Sequence, residues 1–269
     1  MRYPVKRSIK RAAFALERGL CTLLQRPQQY VFILGHMRSG STLLSHLLLS
    51  HRDITGYGES NLVYRDRGDL AQLVWTTHRL RRQLAPRRHV IDQVNHNYMV
   101  EDQRLLLAPD VRVIFLVRSP LAAITSLIHS IEGPVGEPAG AAGYYAERLG
   151  CLIDYADMLP AGRSMLVRYE ALVAEPAPVL DKLTRFLALD SALSPNYRQF
   201  DFTGQRGDRS DNIRAGRVIE TPRRAPPAID ATSLAKLEAL RSQLLQRFGE
   251  SSVNPERFDN PDTGRSADT

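Results

Sequence analysis

Cysteine is almost missing from this 269-residue chain: only Cys21 and Cys151 occur, far apart. That argues against a disulfide scaffold or a cysteine-based metal cluster and fits a reducing, cytoplasmic compartment. No apolar run approaches the ~18 residues that a membrane span needs. No zinc-finger spacing or aromatic-and-basic RNA motif is present, which leaves out the common nucleic-acid modules. Internal repeats are also lacking, which excludes a solenoid. What is present is ordinary for a globular protein with a real core: 43% hydrophobic and 24% charged residues, at a length suited to one α/β domain. The net charge of +7 favours anionic ligands or acidic surfaces without choosing among them.

The basic N-terminus (Arg2, Lys6, Arg7, Lys10, Arg11) is followed by no uninterrupted apolar core and no small-residue cleavage site, so we read no signal peptide. Val5, Ile9, Ala12, Leu16, Leu20 and Leu23 recur at helical steps and predict a basic amphipathic helix over 5–24, within an N-terminal segment 1–29. Packing against the domain is its first assignment; peripheral contact of residues 1–26 with anionic lipid is the alternative. Strands are expected at 30–34, 89–94, 111–117 and 164–169. Helices are expected from Leu43, over about 66–88, through Ser126, and at 144–158, 177–187 and 233–248. GYGESNLVY (56–64) reads as a glycine-rich turn and GPVGEPAGAAG (133–143) as a loop. Residues 190–229 form a long irregular region, and 251–269 a polar, disordered tail. Strands alternating with helices predict a parallel α/β sheet flanked by helices on both faces, a single domain over 30–250.

The most informative stretch is YVFILGHMRSGSTLLSHLLLSH (30–51). An apolar strand, a tight loop and a helix N-terminus follow in order, and the free N–H groups and dipole of such a terminus suit a phosphate. Against the nucleoside-triphosphatase loop G-x-x-x-x-G-K-[ST], Gly35, Gly40 and Thr42 fall in register, but Ser41 stands in the lysine position. The loop's one cation is Arg38. Such a loop cradles a phosphate without the usual reach to a γ-phosphate, so the expectation is a nucleotide site and not an ATPase. Ligands of parallel sheets gather at carboxyl strand ends. Those ends carry the 35–42 loop, Gln93 and His96, Arg118, and Tyr169 with Glu170. Arg118 stands where a nucleoside triphosphatase would often place a magnesium-binding Asp, and an arginine there can fork onto an anion. Ser126 follows about two helical turns later and could share that anion. Taken alone, Arg118 is equally well a surface salt bridge.

Together these segments resemble the PAPS-dependent sulfotransferase family. HMRSGSTLL (36–44) is similar to that family's 5′-phosphosulfate loop, commonly written P-R-S-G-T-T-L. VIFLVRSPLAAITS (113–126) resembles its 3′-phosphate motif, MLVRYEALVAEPAPVLDKLTRFLAL (165–189) the segment after it, and GDRSDNIRAGRV (207–218) the late loop of bacterial members. The match runs over about 30–220 in the right order. It departs at His36 for proline, at Ser41 for threonine, and at Arg-Ala-Gly (214–216) for Arg-Lys-Gly. The resemblance implies a P-loop nucleoside-triphosphate-hydrolase-like fold and a soluble enzyme moving a sulfuryl group from PAPS to an acceptor, leaving PAP, with no metal. It further implies that Arg38, Ser39, Gly40, Ser41 and Thr42 hold the 5′ end. Arg118 and Ser126 would take the 3′-phosphate, with Arg214 and Gly216 closing over it and Tyr169 contacting adenine. Arg38 would also stabilise charge on the departing oxygen.

A hydroxyl acceptor needs a base. Glu59 resembles the glutamate of the G-E motif in protein-tyrosine and several bacterial sulfotransferases and is the first choice. His96 is the second, near the place where cytosolic small-molecule members keep a histidine. His46, His51, His78, His89 and His129 show no ligand spacing and are assigned nothing. The acceptor, a small molecule, carbohydrate, lipid or peptide bearing a hydroxyl or, as second choice, an amine, carries no readable code; nucleic acid is not expected. The rival readings are a P-loop small-molecule kinase and a non-catalytic PAP-binding or membrane-surface adaptor.

Overall fold

The computed structural model describes residues 28–81, 87–204, 211–220, 225–227 and 229–249, with isolated positions at 12, 15, 16, 19 and 23. Of the helix expected over 5–24, positions 12, 15, 16, 19 and 23 are described; all five are helical and exposed, Leu16 and Leu23 of the apolar stripe included, so packing against the domain is not what they show. The tail 251–269 and the beginning of the late loop at 207–210 lie outside the described residues. Five parallel strands form one sheet: β1 (Gln29–Gly35), β2 (Ile54–Gly56), β3 (His89–Val94), β4 (Val111–Val117) and β5 (Ser164–Arg168), in the order β2-β3-β1-β4-β5. Helices α1 (Ser41–Leu49), α2 (Arg67–Arg81), α3 (Pro120–Ile128), α4 (Pro138–Met158), α5 (Tyr169–Ala174), α6 (Pro176–Phe186) and α7 (Ala231–Gln246) cover it.

β1 and β4 are almost continuously apolar because both sheet faces are buried, and side chains leave the strands alternately. Tyr30, Phe32 and Leu34 of β1 join Val113 and Phe115 of β4 under α2, α3, α4 and α7, against residues such as Leu73, Leu127, Leu149 and Leu244. Val31, Ile33, Ile114 and Leu116 face the other way, onto Leu44, Leu47 and Leu48 of α1 and Leu180 and Leu183 of α6. Register aligns Leu34 with Val94 on one side and Phe115 on the other. The carboxyl ends of β1, β3 and β4 therefore finish side by side at the centre of the sheet, where chain connections diverge to opposite edges. Open α/β sheets bind ligands at such a switch point.

The structure departs from the sequence expectations in four places. Ile54–Gly56 is a short edge strand, too brief for a periodicity signal. Residues 138–143, expected in a loop, form the first turns of α4: Pro138 sits at its start, where a missing N–H costs nothing, and Ala141 is buried. The helix expected over about 66–88 is described as α2 over Arg67–Arg81, and Arg87 and Arg88 lie outside it. Tyr169 begins α5 and does not end β5. Among the described residues of 190–229 only a 3₁₀ turn, Asp211–Ala215, and an isolated bridge between Asn196 and Arg217 interrupt the irregular chain. No helix among the described residues is long and apolar enough to cross a membrane.

Candidate active site

The loop between β1 and α1 turns through two left-handed residues, Arg38 (φ 64) and Gly40 (φ 94). The first is a rare conformation for a side-chain-bearing residue and stores about 1–3 kcal/mol of the kind concentrated at functional sites. Gly40 caps α1 without a side-chain hydrogen bond. The first N–H groups of α1 are thus left for a ligand. A Cβ on Gly40 would run into the Tyr169 ring, whose Cε2 would stand 2.7 Å away. Gly40→Ala is accordingly expected to lower the unfolding free energy by about 1–3 kcal/mol in urea denaturation; unchanged stability would mean that the ring yields freely.

Arg38 Nε donates to Ser126 Oγ at 2.9 Å, across from β1 to α3. Arg118, at the end of β4, lies with its guanidinium 4.4 Å from the Tyr169 ring centroid and points Nη1 at the Arg38 carbonyl (3.4 Å). Three separated segments therefore meet in one cationic, hydroxyl-bearing cluster. Ser39 Oγ is buried beside it without a hydrogen-bond partner, as is Asn95 Oδ1 at the end of β3. Buried polar atoms left unsatisfied by protein are what a polar ligand or ordered water completes. Asn95 Nδ2 faces both Ser41 Oγ (3.3 Å) and Glu59 Oε1 (3.4 Å), so this amide stands between the loop and the glutamate.

Glu59 is held by its neighbour. Ser60 donates to Asp92 of β3 through its N–H (2.9 Å) and its hydroxyl (2.5 Å), and Tyr64 Oη donates to the same carboxylate (2.5 Å). Burial pushes the Asp92 carboxyl up to about 6 despite those donors. His96 follows Asn95 in the chain, its ring stacked on exposed Tyr98 with centroids 5.2 Å apart. Burial, and then the charge of Arg148, hold its imidazole below the ordinary value.

These groups line one open cleft of 1830 Å³: Arg38, Gly40, Ser41, Thr42, Glu59, Asn95, His96, Arg118, Ser126 and Tyr169 all face it. The late segment enters it through Arg217, with Asn212 and Ile213. Arg214 and Gly216 do not: the Arg214 guanidinium lies against Gly204, its carbonyl accepts from Gln199 Nε2 (2.6 Å), and the Gly216 carbonyl accepts from Tyr197 N–H (2.8 Å).

Several residues that build the site escaped sequence reasoning. His36 is fully buried; its Nδ1 donates to the Met37 carbonyl (2.8 Å), so Nε2 is the acceptor for the Arg118 N–H (3.2 Å). Burial, and then the charges of Arg118, Arg148 and Arg241, lower its pKa to about 4, which keeps the ring neutral and the bond intact. A histidine in place of the family's proline thus ties the loop to the end of β4. Helix α4 supplies three more struts. Tyr144 Oη donates to the Asn95 carbonyl (2.8 Å) and accepts from Met37 N–H (2.9 Å). Tyr145 Oη donates to the Arg118 carbonyl (2.7 Å), and Arg148 reaches the carbonyls of Gly35 and Val94. Glu170 accepts from Ser119 N–H (2.7 Å) and faces buried Arg241 (3.4 Å), so its role is to hold α3 and α7.

A Ser–His–Asp grouping elsewhere carries no hydrolase chemistry. His51 Nε2 contacts Ser191 Oγ at 2.8 Å, but Nδ1 accepts from the Asp53 N–H (3.2 Å), so Nε2 holds the proton. It cannot take one from serine.

Comparison with known proteins places this architecture. The sulfotransferase domain from the curacin biosynthetic pathway superposes with a TM-score of 0.53 at 18% identity, over 84% of this chain and 99% of that one. The sulfotransferase domain of the Synechococcus PCC 7002 olefin synthase gives 0.52 at 21%, over 83% and 94%. At such identities the likeness establishes a shared fold. No curated protein matches the sequence. The model of the sulfotransferase family matches residues 30–103 and 66–192. Those segments span more than half of the sequence and contain the loop, Glu59, His96, Arg118, Ser126 and Tyr169, and the chain therefore belongs to the sulfotransferase family.

Proposed function

We propose that this protein transfers the sulfuryl group of PAPS to a hydroxyl, with Glu59 as general base. The observation that carries the reading is the convergence of Arg38, Arg118 and Ser126 on one side of the phosphate-type loop, with Glu59 opposite, beyond Asn95. A nucleotide with phosphate groups at both 5′ and 3′ positions asks for two anion grips in one cleft. The loop N–H groups with Ser39, Ser41 and Thr42 form one, and Arg118 with Ser126 the other. The unpartnered Ser39 hydroxyl and Asn95 carboxamide oxygen fit such a polar ligand.

PAPS supplies a sulfuryl group already joined to a good leaving phosphate. Arg38, anchored through Nε on Ser126, would offer its guanidinium to the charge appearing on that phosphate, and a preorganised donor needs no reorganisation as the charge develops. Glu59 takes the acceptor proton, with Asn95 and the Asp92–Ser60 anchor keeping it in place. Tyr169 supports Arg118 from below and closes the floor beside Gly40; Arg217 is the late-loop cation facing the nucleotide.

Thermal melting tests the reading: PAP raises the melting point well above the shift given by ADP, because binding to the native state stabilises by mass action. A shift with ATP–Mg²⁺ alone would transfer the case to a kinase. PAP binding without transfer to any glycoside, phenol, lipid headgroup or tyrosine peptide in a labelled-PAPS screen would leave a non-catalytic PAP-binding protein.

A further inference from the structure

We propose that Arg148 is a positioning residue for the phosphosulfate loop, and that its buried charge is left for the bound nucleotide's anion to balance. The second half rests on the PAPS reading of the cleft. Arg148 lies on the inner stripe of α4 at 1% exposure. Nε donates to the Gly35 carbonyl (2.7 Å), Nη2 to the Val94 carbonyl (2.6 Å) and Nη1 to Asn97 Oδ1 (2.8 Å). One guanidinium thus ties the last residue of β1, from which the loop springs, to the end of β3, from which Asn95 and His96 extend. Arginine's rigid fork suits three such bonds, and it stays protonated under burial.

All three acceptors are neutral. They take three of the five N–H groups and leave the charge uncompensated. Among the described residues no carboxylate pairs with Arg148: Glu147, adjacent in sequence, is exposed and accepts from Asn97 Nδ2 (3.3 Å). An unpaired buried cation is costly, so a chain that keeps one has it compensated from elsewhere or gains by it. The charge is felt in the cleft, where it lowers His96 after burial has done so. It sits against the Gly35 carbonyl, where the loop begins, without lining the cleft, and low-dielectric surroundings extend its reach. An anion in the loop is the missing partner.

The test separates charge from bonding and supplies a counter-ion from within. Cys151 Sγ lies 3.9 Å from Arg148 Nη1, one helical turn on. Cys151→Asp should weaken PAP binding about tenfold or more by calorimetry. Its ligand-free melting point should equal or exceed that of Cys151→Ser. Arg148→Lys keeps the charge but loses the fork and should lose less affinity than Arg148→Gln, which should lose about tenfold or more. The His96 titration followed by NMR should move up in Cys151→Asp and in Arg148→Gln. PAP affinity in Cys151→Asp equal to that in Cys151→Ser would overturn the proposal, as would equal losses in Arg148→Lys and Arg148→Gln. Should Arg148→Gln fail to fold, the Cys151 pair decides alone. Wild-type protein that does not bind PAP counts against the nucleotide reading instead, and an unmoved His96 titration would then overturn the reach of the Arg148 charge independently.

Discussion

Glu59→Gln is expected to leave PAP affinity within about threefold of wild type while sulfuryl transfer falls by about 10²–10⁴. Glutamine keeps the shape of the side chain and its bond from Asn95 Nδ2 but cannot accept the acceptor's proton. The loop beneath it should not shift, because Ser60 stays clamped to Asp92 by two hydrogen bonds. Loss of rate without loss of binding is therefore the signature of the missing base. Transfer is measured with labelled PAPS and whichever acceptor the screen returns. A fully active Glu59→Gln protein would remove Glu59 from the role, and a dead His96→Ala protein beside it would pass the role to His96. The imidazole is chemically fit for that: burial keeps it neutral, and it lines the same cleft.

Arg118→Ala is expected to weaken PAP binding by about 2–5 kcal/mol, which is the usual cost of removing one member of a desolvated charge pair. ADP, which lacks a 3′-phosphate, should lose far less. The change is local. The Arg118 backbone N–H still reaches His36 and its carbonyl still accepts from Tyr145, so the end of β4 keeps its moorings. Only the guanidinium over Tyr169 is lost. Arg118→Lys should recover little of the affinity, since an ammonium offers a point charge where a planar fork is needed. Equal losses for PAP and ADP, or none for either, would detach Arg118 from 3′-phosphate recognition.

Much of this was legible in the sequence, for physical reasons that differ by element. β1 and β4 are buried on both faces, and their almost continuous apolar runs are a strong signal; β3 is equally buried but carries His89, Asp92 and Gln93, a weaker one. β2 has three residues, one of them glycine, and takes its conformation from pairing with β3. The start of α4 was hidden by Pro138, Gly140 and Gly143, all poor helix formers by composition. Tertiary contact overrides propensity there: a Cβ on Gly140 would meet Val135 N at 3.3 Å, so the residue is small because a neighbouring backbone lies against it. The nucleotide loop could be read because its glycines and hydroxyls work through local backbone geometry. The struts behind it could not. His36, Tyr144 and Tyr145 act through partners far away in sequence, which the pairing of β1 with β4 and the packing of α4 over the strand ends bring near. Arg148 did leave a trace. It interrupts the apolar stripe of Ala141, Tyr145, Leu152 and Tyr155, and a cation at an inward-facing helix position is rarely there for solubility.

The stacking of Gly40, the Tyr169 ring and the Arg118 guanidinium has an evolutionary reading. Three positions from distant parts of the gene share one small volume, so none can drift by itself. A side chain at 40 meets the Tyr169 ring as well as the left-handed backbone, and trading that ring for something smaller relieves only the first while leaving Arg118 without the ring beneath it. A change at any one of the three positions thereby carries a cost at the other two.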